Sequence, residues 1–183
     1  MTVKEILKAA AVELGMATEV EAYFDGTYPD GITAVTDLLR CFNLVENELA
    51  IDYLPLYAEE EVESDTGAIY FSSLSRSVVR ILRVCDEWGN DAAFKLFPDY
   101  LKTQGGKVAI RYTYTPKEKT VDGVSDFASN VSLRLFAYGI AAEYSLASGL
   151  FEDAALWDKK YKDAITAAYR SNPCRRLRSR RWA

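Results

Sequence analysis

Residues 108–115, Val-Ala-Ile-Arg-Tyr-Thr-Tyr-Thr, have the alternation of a β-strand and decide the fold class of the middle of this sequence. One side of such a strand carries the larger apolar groups, Val108, Ile110, Tyr112 and Tyr114. Four nearby segments also read as strands: residues 68–71, 78–85, 92–97 and 100–103. Glycine-containing turns at 88–91 and 104–107 predict tight connections between consecutive strands. Residues 57–116 are therefore predicted to form a small antiparallel β-meander.

Helical periodicity replaces the strand pattern before this region. Thr2 and Glu5 have the spacing of a capping box, which predicts a first helix at 2–15 that ends at a glycine. Apolar residues then recur at helical intervals over 31–54, and Pro55 stops the pattern. The N-terminal part of the chain is thus predicted to hold two main helices.

Helical periodicity also returns after the strands. It predicts helices over 125–148 and 150–171, broken at Ser148-Gly149 and folded back as an antiparallel hairpin. Gly139 lies inside the first of these helices, where glycine costs up to about 1 kcal/mol relative to alanine, so another backbone is expected to approach closely there. The predicted fold class is α+β, with N-terminal helices, a central small antiparallel β-meander, a C-terminal antiparallel helical hairpin and an extended basic C-terminal arm.

Composition narrows the possible chemistry. The chain has 183 residues and no histidine, which excludes Ser-His and Cys-His catalysis and histidine-containing metal sites. Its three cysteines, Cys41, Cys85 and Cys174, are too few and too scattered for a disulfide framework or a zinc motif, and a reducing compartment is the simplest inference. No catalytic residue, metal site or cofactor is predicted, and no segment resembles a signal peptide or a membrane span.

The C-terminal segment differs in charge from the rest of the chain. A single domain is predicted over residues 1–172, because Pro173 stops the last helix and residues 173–183 then form an extended arm. The arm holds five arginines; without them, 17 of the 22 basic residues remain against 27 acidic ones, a net charge of −10. The residues predicted to bind a partner are Arg175, Arg176, Leu177, Arg178, Arg180, Arg181 and Trp182. An acidic protein groove, nucleic acid and a role as a solvated tail all suit this composition.

A dense acidic run lies near the start of the predicted meander. It is predicted to form an acidic loop of Glu59, Glu60, Glu61, Glu63 and Asp65. Such a loop can be a solvated segment, and it lacks the spaced oxygen ligands that would make a Ca²⁺ or Mg²⁺ site specific. A third possibility is an inter-subunit contact, in which the acidic loop of one copy pairs with the arginine arm of another.

The two C-terminal helical segments carry a resemblance to a known family. Residues 131–144, VSLRLFAYGIAAEY, followed by 150–169, LFEDAALWDKKYKDAITAAY, are similar to the helical hairpin of tailed-bacteriophage head–tail connector proteins, also called adaptor or neck proteins. The strand pattern at 78–84, 94–97 and 108–114 resembles the β-insertion of the same proteins.

The resemblance implies a structural virion protein without enzymatic activity. Such adaptors form a ring, commonly dodecameric, that joins the portal protein to the tail or to the next neck protein. They extend a channel through which DNA passes without sequence-specific binding. The implied location is the neck of the virion, after synthesis in the host cytoplasm, and no membrane partner is implied. The arm at 173–183 has the position of the C-terminal segment with which adaptors bind the portal. The acidic charge of the chain outside the arm agrees with a DNA channel, since a positively charged channel would bind the phosphates and retain the DNA.

A second interpretation belongs to a different class of protein. The arginine arm also fits a nucleic-acid-binding or packaging accessory protein, whose affinity for DNA would depend strongly on salt. The net charge of −10 on the rest of the chain opposes that binding.

Overall fold

The structure is a computed structural model, and it describes residues 1–27, 31–127 and 131–171. These residues contain helices and antiparallel sheets in the predicted order, so the α+β fold class is confirmed. The helices are α1 (Val3–Glu13), α2 (Ala17–Phe24), α3 (Ile32–Glu48), α4 (Leu133–Ala147) and α5 (Phe151–Ser171). The strands are β1 (Leu56–Ser64), β2 (Ala68–Tyr70), β3 (Ser77–Asp86), β4 (Lys95–Leu96), β5 (Tyr100–Lys102) and β6 (Gly106–Thr115).

The chain divides into two compact units. The first, here called the helical unit, combines Met1–Val45 with the described chain from Lys119 onward. The second, the β unit, is Glu46–Glu118 and contains all six strands. The single domain predicted over 1–172 stays a prediction.

The start of α1 and the ends of α1 and of the long helix after it lie close to where the sequence predicts them. The Thr2 N–H donates to Glu5 Oε2 at 2.9 Å, and the Glu5 N–H donates to Thr2 Oγ1 at 3.3 Å, which confirms the capping box. Gly15 follows α1 with a φ of 73°, the left-handed geometry typical of a residue just past a helix end. The predicted helix at 31–54 is α3 extended by a π-helical turn at Leu49–Tyr53, and it ends before Pro55 as predicted.

Helix α4 begins later than the predicted residue 125. Ser125 accepts a hydrogen bond from the Phe127 N–H at 3.2 Å, and no helix follows it within the described residues before Leu133. The N-cap is instead Ser132, whose Oγ accepts from the Leu135 N–H at 3.2 Å. Both serines have capping chemistry, so the sequence offered two starting points and the prediction took the wrong one.

Two other helices contact Gly139 closely, but they do so through side chains and not through the backbone approach that was expected. A Cβ built on Gly139 would lie 2.8 Å from Cγ1 of Val45 on α3 and 2.9 Å from Cε2 of Tyr161 on α5. Both distances are shorter than normal carbon contacts, so only glycine lets the three helices approach this closely.

The segment between β6 and α4 is fastened to α3. Asn43 makes two hydrogen bonds with the backbone of Lys119: its Oδ1 accepts from the Lys119 N–H at 2.8 Å, and its Nδ2 donates to the Lys119 carbonyl at 3.2 Å. The Lys119 Nζ also lies 2.6 Å from Asp126 Oδ1, and these two side chains are only 13% and 12% exposed. A nearly buried ion pair therefore holds this segment in the helical unit.

The strands do not form the predicted meander of consecutive pairs. They form two three-stranded sheets, with the orders β1-β6-β3 and β2-β5-β4. The strongly alternating β6 is central and pairs antiparallel with both neighbours. The turn at 88–91 is confirmed, because the Asp86 N–H donates to the Asn90 carbonyl at 2.9 Å and Gly89 has a φ of 82°.

The turn predicted at 104–107 does not join paired strands. Among the described residues, β5 and β6 are not paired with each other. The glycines instead allow the backbone segments around residues 65–67 and 103–105 to approach each other closely. A Cβ on Gly105 would lie 2.5 Å from the carbonyl oxygen of Asp65, and a Cβ on Gly67 would overlap the carbonyl oxygen of Thr103. Adjacent glycines fit both a hairpin and such a crossing, and the local sequence does not distinguish them.

Candidate interaction surface

The acidic run predicted as a loop is a regular β-strand. Strand β1 contains Glu59, Glu60, Glu61 and Glu63, and only Asp65 lies in the turn that follows it. Residues along β1 alternate between half-buried and exposed, and the strand pairs with β6 in unbroken register from Leu56 opposite Tyr114 to Ser64 opposite Gly106. The prediction was wrong because consecutive glutamates conceal the alternation of a β-strand. Basic residues on β6 lie opposite outward glutamates and make this strand pairing favourable.

The exposed side of β1 presents acidic side chains to basic ones on β6. Glu59 lies opposite Arg111 and Glu63 opposite Lys107, and the Lys107 Nζ is 2.5 Å from Glu61 Oε2. That hydrogen bond from Lys107 to Glu61 raises the pKa of Lys107. Because these groups are exposed, each pair contributes little to stability by itself, but together they fix the charge pattern of this sheet face.

Tyr57 continues the exposed row of β1 beyond the glutamates. Its side chain is 57% exposed, and the Arg111 guanidinium lies 5.7 Å from the ring centroid. The exposed side of β1 therefore reads, from one end to the other, as one aromatic residue followed by three carboxylates.

Glu60 points to the opposite side and closes a polar network over the β core. Its Oε2 accepts from the Ser75 N–H at 3.1 Å, and its Oε1 accepts from the Ser75 hydroxyl at 2.5 Å and from the hydroxyl of the fully buried Tyr112. Burial alone would raise the pKa of Glu60, but the hydrogen bonds from Ser75 and Tyr112 outweigh it and hold that pKa below its ordinary value. Burial, followed by the hydrogen bond to Glu60, raises the pKa of Tyr112.

Replacing Glu60 by glutamine is expected to lower the free energy of unfolding at neutral pH by about 2 kcal/mol. The neutral amide accepts weaker hydrogen bonds than the carboxylate, and its NH₂ group would face the donors of Ser75 and Tyr112. The pKa of Glu60 is lower in the folded chain than its ordinary 4.5, so the stabilisation is present above that value and is lost as the pH falls through the folded-state pKa. Urea unfolding at pH 7 and at about pH 3 should therefore show the wild-type advantage shrinking in acid.

The matched control for this variant is Glu59→Gln on the exposed side of the same strand. It should change stability by no more than about 0.5 kcal/mol at either pH. A Glu60→Gln variant as stable as Glu59→Gln at neutral pH would show that the network contributes nothing.

The two edges of the β1-β6-β3 sheet differ. On β3 the pairing register shifts at Val79 and again at Leu82, and the far end of the edge is covered where the Ala92 N–H donates to the Val84 carbonyl at 2.9 Å. In the part of the chain that the structure describes, β1 pairs with β6 along one edge and with no strand along the other. The register shifts and the contact with Ala92 protect the β3 edge from further pairing. On β1 the acidic side chains are the protecting feature that the described residues supply.

Exposed aromatic groups lie elsewhere on the β unit. Trp88 at the 88–91 turn is 77% exposed. On the smaller sheet, the rings of Phe97 and Tyr100 stack with centroids 4.5 Å apart, and Tyr70 lies 5.5 Å from Tyr100. The Tyr-rich side of β6, by contrast, faces the core, where Tyr112 is fully buried. Alternation in the sequence shows that a strand has two sides, and the structure shows which of them is covered.

The helical unit has its own apolar patch where α4 meets α5. It consists of exposed residues at the connection, Leu146, Leu150 and Phe151, of which Phe151 is 70% exposed. A cavity of about 330 Å³ opens beside Leu146 and reaches Cys41. Burial, with the nearby carboxylates of Glu143 and Asp37, raises the pKa of the Cys41 thiol to about 11. Cys41 is one of the buried core residues.

The arm at 173–183, with all of its predicted partner-binding residues, lies outside the described residues. Within the described ranges, no group of three or more acidic or cysteine side chains converges in a way that could hold a metal ion. No helix among them is both long enough and apolar enough to cross a bilayer. No family model matches the chain, and no curated protein matches it.

Proposed function

We propose that this chain is a structural virion protein, a head–tail connector that assembles into a ring between the portal protein and the tail and extends the DNA channel. In this proposal the ring is a homo-oligomer, dodecameric as in the family that the sequence resembles. Its location is the neck of the virion, after synthesis in the host cytoplasm. The chain is not an enzyme: its surfaces bind protein, and DNA passes the ring without sequence-specific contacts.

The observation that carries this proposal is the presence of different contact surfaces on one chain. The β unit exposes Trp88 and a strand edge that pairs with no other described strand, while the helical unit exposes Phe151 and its neighbours. A closed ring needs two unlike surfaces on each subunit, because every copy contacts one neighbour with one surface and the next with the other. Contiguous exposed apolar side chains, such as Leu146, Leu150 and Phe151, are typical of protein contacts. The order of helices, sheets and helical hairpin also agrees with the resemblance of residues 131–169.

The alternative is a nucleic-acid-binding or packaging accessory protein. Its support is the arginine content of residues 175–181, which suits phosphates. The described surface opposes it in part, since the sheet face beside β1 mixes acidic and basic side chains instead of forming a continuous basic patch.

Native mass spectrometry of the full chain, alone and with its portal protein, tests the proposal. We expect a closed oligomer in at least one condition, and negative-stain images should show rings that stack on the portal. A chain that stays monomeric in both conditions would refute the connector proposal. A monomer that binds DNA with an affinity falling steeply as salt rises would favour the accessory protein instead.

A further inference from the structure

We propose that residues 174–182 of one copy add to the free edge of β1 in a neighbouring copy as an antiparallel fourth strand. This inference deepens the proposed function and rests on it for the existence of a neighbouring copy. In this contact the arginines of the arm pair with the outward glutamates of β1, and the two strands run in opposite directions.

The free edge of β1 is suited to accept a strand. Strand β1 runs over Leu56–Ser64 without a register shift against β6, so the backbone groups along its other edge form a regular row. A regular edge offers main-chain hydrogen bonds to any extended segment, and the side chains decide which segment fits. Here those side chains are Tyr57, Glu59, Glu61 and Glu63, exposed at every second position.

The acidic pattern excludes a second β1 as the occupant. Antiparallel pairing of two β1 strands about their centre would place Glu59 of one copy opposite Glu61 of the other, and like charges directly opposite destabilise a sheet. The favoured occupant therefore carries basic side chains at alternate positions. The sequence supplies such a segment in its arm, where Arg176, Arg178 and Arg180 are spaced by two.

One antiparallel register matches the exposed side of β1 at four successive positions. It places Arg176 opposite Glu63, Arg178 opposite Glu61, Arg180 opposite Glu59 and Trp182 opposite Tyr57. Each glutamate would then lie between a basic residue of the arm and the basic face of β6, where Arg111 and Lys107 already stand. Trp182 would meet the exposed Tyr57 ring, and aromatic pairs across strands are among the stabilising ones.

On the inward side, the same register places Leu177 opposite the half-buried Val62 and Ser179 opposite Glu60. Arg181 falls opposite Ala58 and Arg175 opposite Ser64 at the end of the strand. A parallel arrangement that keeps the three charge pairs would set Leu177 opposite Glu60 and leave Trp182 beyond the strand at Asp65. The placement of Leu177 and Trp182 therefore favours the antiparallel direction.

Charge-swapped variants of the full chain test this contact. The edge variant carries Glu59→Lys and Glu61→Lys, and the arm variant carries Arg178→Glu and Arg180→Glu. Each alone should raise the dissociation constant between copies by at least about tenfold, since two attractive pairs become repulsive. An equimolar mixture should associate again, because the lysine edge accepts the glutamate arm and the native edge accepts the native arm. Sedimentation velocity measures this over a range of protein concentrations.

The matched control is Arg175→Glu with Arg181→Glu. It makes the same change of charge in the same segment, but at positions that the proposed strand turns to the other side. Its effect on association should be clearly smaller than that of the arm variant. Equal losses for the two arm pairs, or no recovery in the mixture, would overturn the strand register. Circular dichroism of the edge variant checks its fold, and the two arm pairs decide the question if that variant does not fold.

The outcomes separate this inference from the connector proposal. Wild-type rings that persist in every variant would overturn the arm contact and leave the ring intact. Open chains of copies that depend on the charge pairs would support the arm contact and refute the closed ring. A wild-type chain that never associates would overturn both.

Discussion

Replacing Lys119 by methionine is expected to lower the free energy of unfolding by about 3–5 kcal/mol, because it removes the lysine cation from its pair with a nearly buried carboxylate. The Lys119 Nζ lies 2.6 Å from Asp126 Oδ1, with 13% and 12% of the two side chains exposed. Methionine keeps the length and most of the volume of the lysine stem, so the loss reports the charge and not a cavity. Urea or thermal unfolding followed by circular dichroism measures it.

Two controls make this expectation specific. Lys162→Met breaks a pair of the same 2.6 Å separation, with Asp158, but those side chains are 60% and 47% exposed, so the loss should be under about 1 kcal/mol. Adding Asp126→Leu to Lys119→Met should recover most of the lost stability, because an apolar pair no longer leaves a buried charge. If Lys119→Met costs no more than Lys162→Met, the buried pair does not hold the segment as inferred.

The parts of the fold that were predictable are those fixed by nearby residues. The start of α1 follows from Thr2 and Glu5, three positions apart, and the end of the extended α3 follows from Pro55. The approach of other helices to Gly139 was also predictable, because a glycine inside an amphipathic helix lowers stability unless close packing against a neighbouring helix compensates for it. In each case the physical cause lies within one or two helical turns.

The parts that were missed depend on residues far apart in sequence. Asn43 and Lys119 meet across 76 positions, and nothing near either of them indicates the other. The sheet orders also depend on distant residues, since β6 pairs with β1 and β3 and does not pair with β5, which precedes it in sequence. Turn residues show where a chain can reverse and do not show which strand it then meets.

The candidate site was half predictable for a related reason. The sequence indicated that the acidic run and the arginine arm are complementary in charge, but it did not show that Glu60 differs from its neighbours. In the structure Glu60 faces Ser75 and Tyr112, while Glu59 and Glu61 face solvent and the basic residues of β6. Alternation along one strand thus separates two environments: the inward carboxylate belongs to the hydrogen-bond network of the β unit, and the outward carboxylates are those that the proposed arm contact uses.

Gly139→Leu is expected to lower the free energy of unfolding by about 1–3 kcal/mol through overpacking. The space at this position is already filled, since even a Cβ would lie 2.8 Å from Val45 Cγ1 and 2.9 Å from Tyr161 Cε2. Leucine has the higher helix propensity by roughly 1 kcal/mol, so propensity alone would make the variant more stable. A net loss in urea unfolding therefore measures the steric cost directly.

Ala155→Leu on the exposed side of α5 is the control for adding leucine to the helical hairpin, and it should change stability by less than about 0.5 kcal/mol. A second test uses the smaller change Gly139→Ala together with Val45→Ala. Truncating Val45 alone leaves a cavity, but in the double variant the new Cβ occupies part of that space, so the combined loss should be smaller than the sum of the two single losses. Strictly additive losses, or a Gly139→Leu variant as stable as wild type, would mean that α3 and α5 do not confine Gly139 and that the close crossing of the three helices is wrong.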